Sequence, residues 1–114
     1  CLMTLHFLDA DERRRTIEQV RRRLRPGAPL VVAHMSIPNG SIADQRDLWI
    51  DRYAAFAISS GVDPEMIAGA RTAIARDVHI LSPEQDREAL SGAGFSGVTE
   101  FYTAFTFRGW VAYA

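Results

Sequence analysis

The residues best suited to chemistry in this sequence lie in two apolar runs and around a turn near the C-terminus. His6 lies in the opening run CLMTLHFL, and His34 lies in the run PLVVAHM. Phe105 and Phe107 flank a turn that Arg108 closes. A histidine can exchange a proton near neutral pH, an aromatic ring can stack on a planar substrate, and a guanidinium can hold an anion. Whether these side chains form one site depends on the elements that carry them.

The order of the predicted elements is typical of an α/β domain. Residues 1–8 and 29–35 are apolar runs of strand length, and the second has the continuous apolar character of an interior parallel strand. Between them, Asp9 begins a helix that Pro26-Gly27 ends. Strand, helix and strand in this order predict a βαβ unit with a right-handed crossover.

Three further helices and a hairpin are predicted after this unit. The first covers roughly residues 43–59, and its wide apolar face (Trp49, Ile50, Tyr53, Ala54, Phe56 and Ala57) needs two packing partners. The second begins at Asp63-Pro64, with a predicted buried stripe of Ile67, Ala70, Ile74 and Val78. A third helix starts at SPEQ, and the runs GVTEFYT and RGWVAYA predict an antiparallel hairpin joined near AFTF.

Composition excludes several classes of protein. The chain has 114 residues, the size of one small domain, and its net charge of −1 gives no general basic footprint for DNA. No apolar run approaches the roughly 20 residues of a membrane span, so no membrane partner is expected. Cys1 is the only cysteine, which fits a reducing compartment and a cytoplasmic location. A zinc site built from the three histidines has no supporting spacing.

The arginine-rich segment RRRLRPG, which precedes the second apolar run, has two interpretations. Residues 11–25 contain seven arginines and three acidic residues. The simpler interpretation is a solvated outer helix face, and the alternative is a patch that contacts RNA.

The phrases LHFL, RRRLRPGAPLVVAHMS and LSGAGF and the closing hairpin, in this order, resemble the C-terminal half of class I S-adenosylmethionine-dependent methyltransferases. Within that family, Ala70-Arg71, Ala93-Gly94-Phe95 and Phe105-Thr106-Phe107 are similar to the branch that includes the tRNA-uridine carboxymethyl transferases. The resemblance implies an α/β fold, namely the C-terminal half of a Rossmann-like methyltransferase sheet. Its parallel strands end in an antiparallel β-hairpin, and residues 43–80 form a two-helix insertion that serves as a lid or dimer contact.

By the same resemblance, residues 1–114 are a single partial domain whose cofactor is S-adenosylmethionine or a carboxylated analogue. The family binds that cofactor mainly through an N-terminal half, whose glycine-rich turn after a strand has no counterpart in this sequence. The chain alone is therefore predicted not to bind the cofactor measurably and to be inactive. An opening strand without its neighbour also exposes an edge, which predicts a homodimer.

The resemblance implies site residues as well. Cofactor contacts are expected from Leu2, Met3, Thr4 and His6. The sheet topology and the insertion add candidate substrate contacts from His34, Tyr53, Arg71, Phe105, Phe107 and Arg108. For His34, Tyr53 and the two phenylalanines, burial or packing in the core is the alternative. Arg71 matches an arginine that holds the cofactor's carboxylate in the carboxymethyl branch. No catalytic residue and no metal ligand is identified, and His6 could be a general base or a structural residue. The substrate would be a small molecule or tRNA. The alternative function is a non-catalytic dimerisation domain.

Overall fold

The computed structural model describes residues 1–39 and 44–114. A short 3-10 turn at Leu5–Phe7 precedes four helices and three strands. These are α1 (Ala10–Arg23), β1 (Pro29–Met35), α2 (Asp44–Ser59), α3 (Pro64–Asp77), α4 (Pro83–Gly92), β2 (Ser96–Ala104) and β3 (Phe107–Tyr113). The predicted helices and the C-terminal hairpin are confirmed. Residue 43, where the insertion was predicted to begin, lies outside the described residues.

Local capping explains where the helices start. The carboxylate of Asp9 accepts a hydrogen bond from the backbone N–H of Glu12, and Asp63 caps α3 in the same way with Pro64 at its first position. Ser82 and Gln85 form a reciprocal capping box at the start of α4. These contacts are local in sequence, which is why residue types alone located these helix starts.

The sheet has the strand order β1-β3-β2, with both pairs antiparallel. Because β1 and β2 are each antiparallel to β3, they run in the same direction. Met35 at the end of β1 pairs with Phe107 at the start of β3. The carboxyl ends of β1 and β2 therefore lie at one edge of the sheet, as the methyltransferase resemblance implies.

The predicted strand at residues 1–8 is wrong. Leu2 forms a single parallel bridge with Ala33, in which the Met3 N–H donates to the Ala33 carbonyl and the Ala33 N–H donates to the Cys1 carbonyl. Met3 then adopts a φ of 56°, in the left-handed region, and the 3-10 turn follows. This conformation turns the chain away from β1 after one residue pair. The first strand of the predicted βαβ unit is therefore reduced to the single parallel bridge between Leu2 and Ala33.

The hydrophobic core lies between one face of the sheet and the helices α1 and α4. Its members are Leu5, Ile17, Leu30, Val32, Leu90, Phe95, Trp110 and Ala112. On the opposite face of the sheet, Val31 stays 41% exposed, and Tyr113 and the β2 residue Phe101 are also exposed. The described part of the chain thus covers the sheet on one face.

The helices α2 and α3 pack on each other beside the carboxyl edge. Ile50 and Ala57 of α2 are buried, but no residue of α3 is. The predicted buried stripe of α3 is therefore wrong: Ile67 and Ile74 are half-buried, Ala70 is exposed, and Val78 is buried just after the helix. None of the described helices combines the length and apolar character that crossing a membrane requires.

Candidate functional site

The candidate site is the edge where β1 ends. Here the Ser36 N–H donates to the Thr106 carbonyl at 2.8 Å, which joins the end of β1 to the β2–β3 turn. Ser36 also forms a parallel β-bridge with Leu81, which brings the start of α4 to the same edge. Ligands of open α/β sheets bind beyond the carboxyl ends of the parallel strands, so this edge is the expected location.

Aromatic pairs join the β2–β3 turn to α2. The Tyr53 ring meets Phe107 edge-on at a centroid distance of 5.4 Å, and Phe56 lies 4.8 Å from Phe105. Phe105 has a φ of 51°, which is costly for a residue with a side chain, and Thr106 beside it is fully buried. The contact with Phe56 and the buried Thr106 hold this strained turn in place. The predicted substrate residues Tyr53, Phe105 and Phe107 are therefore brought together, and their substrate role stays a prediction.

His6 is buried in the 3-10 turn and faces the end of β1. Its Nδ1 accepts a hydrogen bond from the Met35 N–H at 3.1 Å, and its backbone carbonyl accepts from the His79 N–H. Burial, together with the smaller effects of the nearby His34 and Arg13, lowers the pKa of His6 to about 4. His6 is therefore neutral at neutral pH, and its hydrogen bond fixes the rim of the site.

His34 does not face the edge of the site. Side chains alternate along a strand, so His34 shares the core face of β1 with Leu30 and Val32. It is 2% exposed and stacks on Trp110 at a centroid distance of 5.2 Å. The prediction that His34 points into the substrate cleft is wrong, because the strand's period places it underneath the sheet.

A buried ion pair lies beside His34 and was not predicted. Arg13 of α1 is fully buried and donates to Oδ1 of Asp86 at 2.7 Å, and it also donates to the carbonyls of His79 and Leu8. Nε2 of His34 lies 3.1 Å from the same carboxylate oxygen, but it is too poorly aligned for a hydrogen bond. Arg13 precedes Ile17 by four positions, and Asp86 precedes Leu90 by four. Each charged residue thus lies on the apolar face of its helix. Two opposite charges on faces that are expected to be buried were the sequence signal that could have predicted the pair.

The two arginines that were predicted as site residues are both paired. Arg108 donates to the Glu100 carboxylate and to Thr103 Oγ1, with its side chain only 15% exposed. A substrate anion would therefore have to compete with the Glu100 carboxylate for Arg108. Arg71 forms an ion pair with Asp51 across α2 and α3, and both side chains are about half exposed. An exposed pair of this kind is readily exchanged for a ligand anion.

Three predicted cofactor residues lie beside β1 at its outer edge. Leu2 is 64% exposed and Met3 47% exposed, and the Thr4 hydroxyl donates to the Leu2 carbonyl. The side chains of Leu2 and Met3 are thus accessible, in contrast to His6, and the cofactor role of all three residues stays a prediction. Among the described residues, no group of three or more His, Cys, Asp or Glu side chains is placed to hold a metal ion.

Comparison with curated proteins finds several relatives named carboxy-S-adenosyl-L-methionine synthase. The chain is 31% identical over 109 residues to a carboxy-S-adenosyl-L-methionine synthase of Pseudomonas fluorescens, which covers 96% of this chain and 43% of that protein. The synthase of Chromohalobacter salexigens is 30% identical over 112 residues, with 96% of this chain and 40% of that protein covered. The chain thus spans less than half the length of the curated relatives it matches. No protein-family model matches it.

Solved structures show the same fold. PigF with SAH superposes with a TM-score of 0.62 at 13% identity, covering 98% of this chain and 28% of that one. A candidate O-methyltransferase from Nostoc punctiforme superposes with a TM-score of 0.59 at 18% identity, covering 99% of this chain and 30% of that one. The resemblance to the C-terminal part of class I methyltransferase-like proteins is confirmed, as is the α/β fold class.

Proposed function

We propose that this chain, as the C-terminal part of a class I methyltransferase-like fold, helps to transfer a one-carbon group to a small molecule or an RNA base. The donor would be S-adenosylmethionine or its carboxylated analogue. The observation that supports the proposal most strongly is the edge itself, where β1, the β2–β3 turn and the 3-10 turn converge. This is the part of an α/β sheet that takes ligands.

The accessible residues of the edge fit such a cofactor. Leu2 and Met3 offer exposed apolar side chains and Thr4 is exposed beside them, whereas His6 is buried with its Nδ1 already engaged. The cofactor, when bound, supplies an activated sulfonium centre, so the protein's work is mainly to position the acceptor. Tyr53 and Phe107 would orient a planar acceptor. Arg71 would hold a carboxylate after exchanging it for Asp51.

Two proteins test the proposal. One is the chain alone, and the other is a chimera in which the chain replaces the matching segment of the Pseudomonas fluorescens synthase. Calorimetric titration with S-adenosylmethionine should show micromolar binding to the chimera and none to the chain alone. Micromolar binding to the chain alone would contradict the prediction that the cofactor is bound mainly by an N-terminal half. A folded chimera that binds no cofactor would contradict the proposal itself.

Exposed apolar side chains favour a second function, dimerisation without catalysis. Leu48, Phe56, Ile58 and Met66 of α2 and α3 are all exposed, and a patch of this kind often marks an interface. Light scattering should then give the mass of a homodimer, and a monomer at micromolar concentration would count against it.

If the acceptor of the first proposal is an RNA base, the chimera should bind RNA, and this binding should weaken steeply as the salt concentration rises.

A further inference from the structure

We infer that the cleft between the 3-10 turn, the end of β1 and α3 binds a small apolar ring bearing one uncharged oxygen, to which His6 donates a hydrogen bond from Nε2. This inference rests on the proposed function and deepens it, because it names the substrate class that the same edge would accept.

The walls of the cleft are mostly hydrocarbon. The cleft has a volume of about 240 Å³, and its apolar lining comes from Phe7, Met35, Ala73, Ile74 and Val78. A dry apolar cavity of roughly 150 Å³ is enough for benzene. The cleft therefore has room for one aromatic or alicyclic ring with a short substituent.

The hydrogen bond from Met35 fixes the tautomer of His6. Since Nδ1 accepts a proton from the Met35 N–H, it cannot carry one itself, and the neutral ring must carry its hydrogen on Nε2. The lowered pKa of His6, about 4, keeps the ring neutral at neutral pH. His6 is thus a fixed donor, and this assignment removes its predicted role as a general base.

The donor has no acceptor among the described residues. No carbonyl or carboxylate in that part of the chain accepts from Nε2, and His6 is a 3% exposed residue that lines the cleft. Nε2 is not one of the fully buried side-chain atoms that lack a partner, so it keeps some access to the open cleft. An oxygen atom placed in the cleft can take the place of water on this N–H, which gives a modest net gain.

The charges at the cleft select an uncharged ligand. Among the described lining residues the charged one is Asp77, and Arg76 holds it with two hydrogen bonds of 2.7 and 2.6 Å. No lining residue in this part of the chain is a lysine or arginine that could neutralise an anion. A ketone, ether or alcohol oxygen fits the single N–H better than a carboxylate does.

Acetophenone is a suitable probe, and ethylbenzene is its matched control without the oxygen. Both are titrated into the isotope-labelled chain of 114 residues, without cofactor, and binding is followed by nuclear magnetic resonance. Acetophenone should bind about fivefold more tightly than ethylbenzene, the usual worth of one hydrogen bond. Only acetophenone should shift the Nε2 resonance of His6.

Two variants separate the walls from the donor. Ala73→Leu fills the cleft without touching His6 and should abolish binding of both probes. His6→Asn keeps an acceptor for the Met35 N–H but loses the reach of Nε2, so ethylbenzene should still bind and the preference for acetophenone should vanish.

Equal binding of the two probes to the wild-type chain would overturn the inference even if the His6 variant failed to fold. No binding of either probe, or a His6 spectrum showing hydrogen on Nδ1, would overturn it as well. None of these results bears on cofactor binding by the chimera, so the inference and the proposed function fail separately.

Discussion

The helices α1 and α4, below the sheet, and the helices α2 and α3, beside its edge, carry similar apolar repeats but are buried to different degrees. Below the sheet, Ile17 and Leu90 are nearly inaccessible, and even the charged pair Arg13–Asp86 is buried. Beside the edge, α3 has no buried residue, and its pair with α2, Arg71–Asp51, is exposed. The difference teaches that an apolar stripe in the sequence predicts which side of a helix faces inward. It does not predict how deeply that side is buried.

The largest effect should come from separating the buried ion pair. Asp86→Ala leaves the Arg13 guanidinium buried without its carboxylate, which should lower the free energy of unfolding in urea by about 3–5 kcal/mol. The double variant Arg13→Met with Asp86→Leu removes both charges and should recover most of the loss. A loss below about 1 kcal/mol in the single variant would show that the two regions do not differ in this way.

Cavity-forming substitutions compare the apolar packing of the two regions. Leu90→Ala in α4 should lower the free energy of unfolding by about 2–5 kcal/mol, because its side chain is 2% exposed. Ile67→Ala in the half-buried face of α3 should cost about 1 kcal/mol or less. Similar losses at the two positions, measured by the same urea titration, would contradict the contrast.

Acidification tests the burial of His6, which contacts both Met35 at the end of β1 and His79 after α3. The pKa of His6 is about 4 in the folded chain, against 6.5 as the ordinary value. Below about pH 6.5 the unfolded chain takes up a proton that the folded chain does not. The free energy of unfolding should therefore fall by up to about 3 kcal/mol as the pH drops towards 4.

Carboxylates titrate over part of the same range, so the measure is the difference between wild type and His6→Asn. That variant should lack the His6 component and show a shallower loss of stability between about pH 6.5 and 4. Parallel curves for the two proteins would show that His6 titrates as it does in the unfolded chain.

The smallest effect is expected at the exposed pair. Asp51→Ala removes the partner of Arg71 at the surface, where such pairs contribute about 0–1 kcal/mol, and stability should hardly change. A loss comparable with that of Asp86→Ala would mean that α2 and α3 are held together as firmly as the core. In the chimera, the same variant frees Arg71 and is expected to tighten binding of the carboxylated cofactor.

Much of the fold was predictable because its signals are local. Asp9, Asp63 and Ser82 located three helix starts, and the two strand-like runs in residues 97–113, with their short connection, located the hairpin. The opening segment was predicted wrongly because its strand-like composition does not reveal the left-handed turn at Met3. For the site, the sequence selected Tyr53, Phe105 and Phe107, which the structure brings to the edge and whose substrate role stays a prediction, but it misplaced His34 and missed Arg13 and Asp86.

The sequence by itself determined the order of the elements from α1 onwards and the antiparallel direction of β2 and β3. These features follow from caps, turns and periodicity, which act over a few neighbouring positions. Only the tertiary structure decided which charges are buried and which tautomer His6 adopts. Arg13 and Asp86 lie 73 positions apart, and Met35 lies 29 positions from His6. Contacts at such separations arise from packing, and no local pattern encodes them.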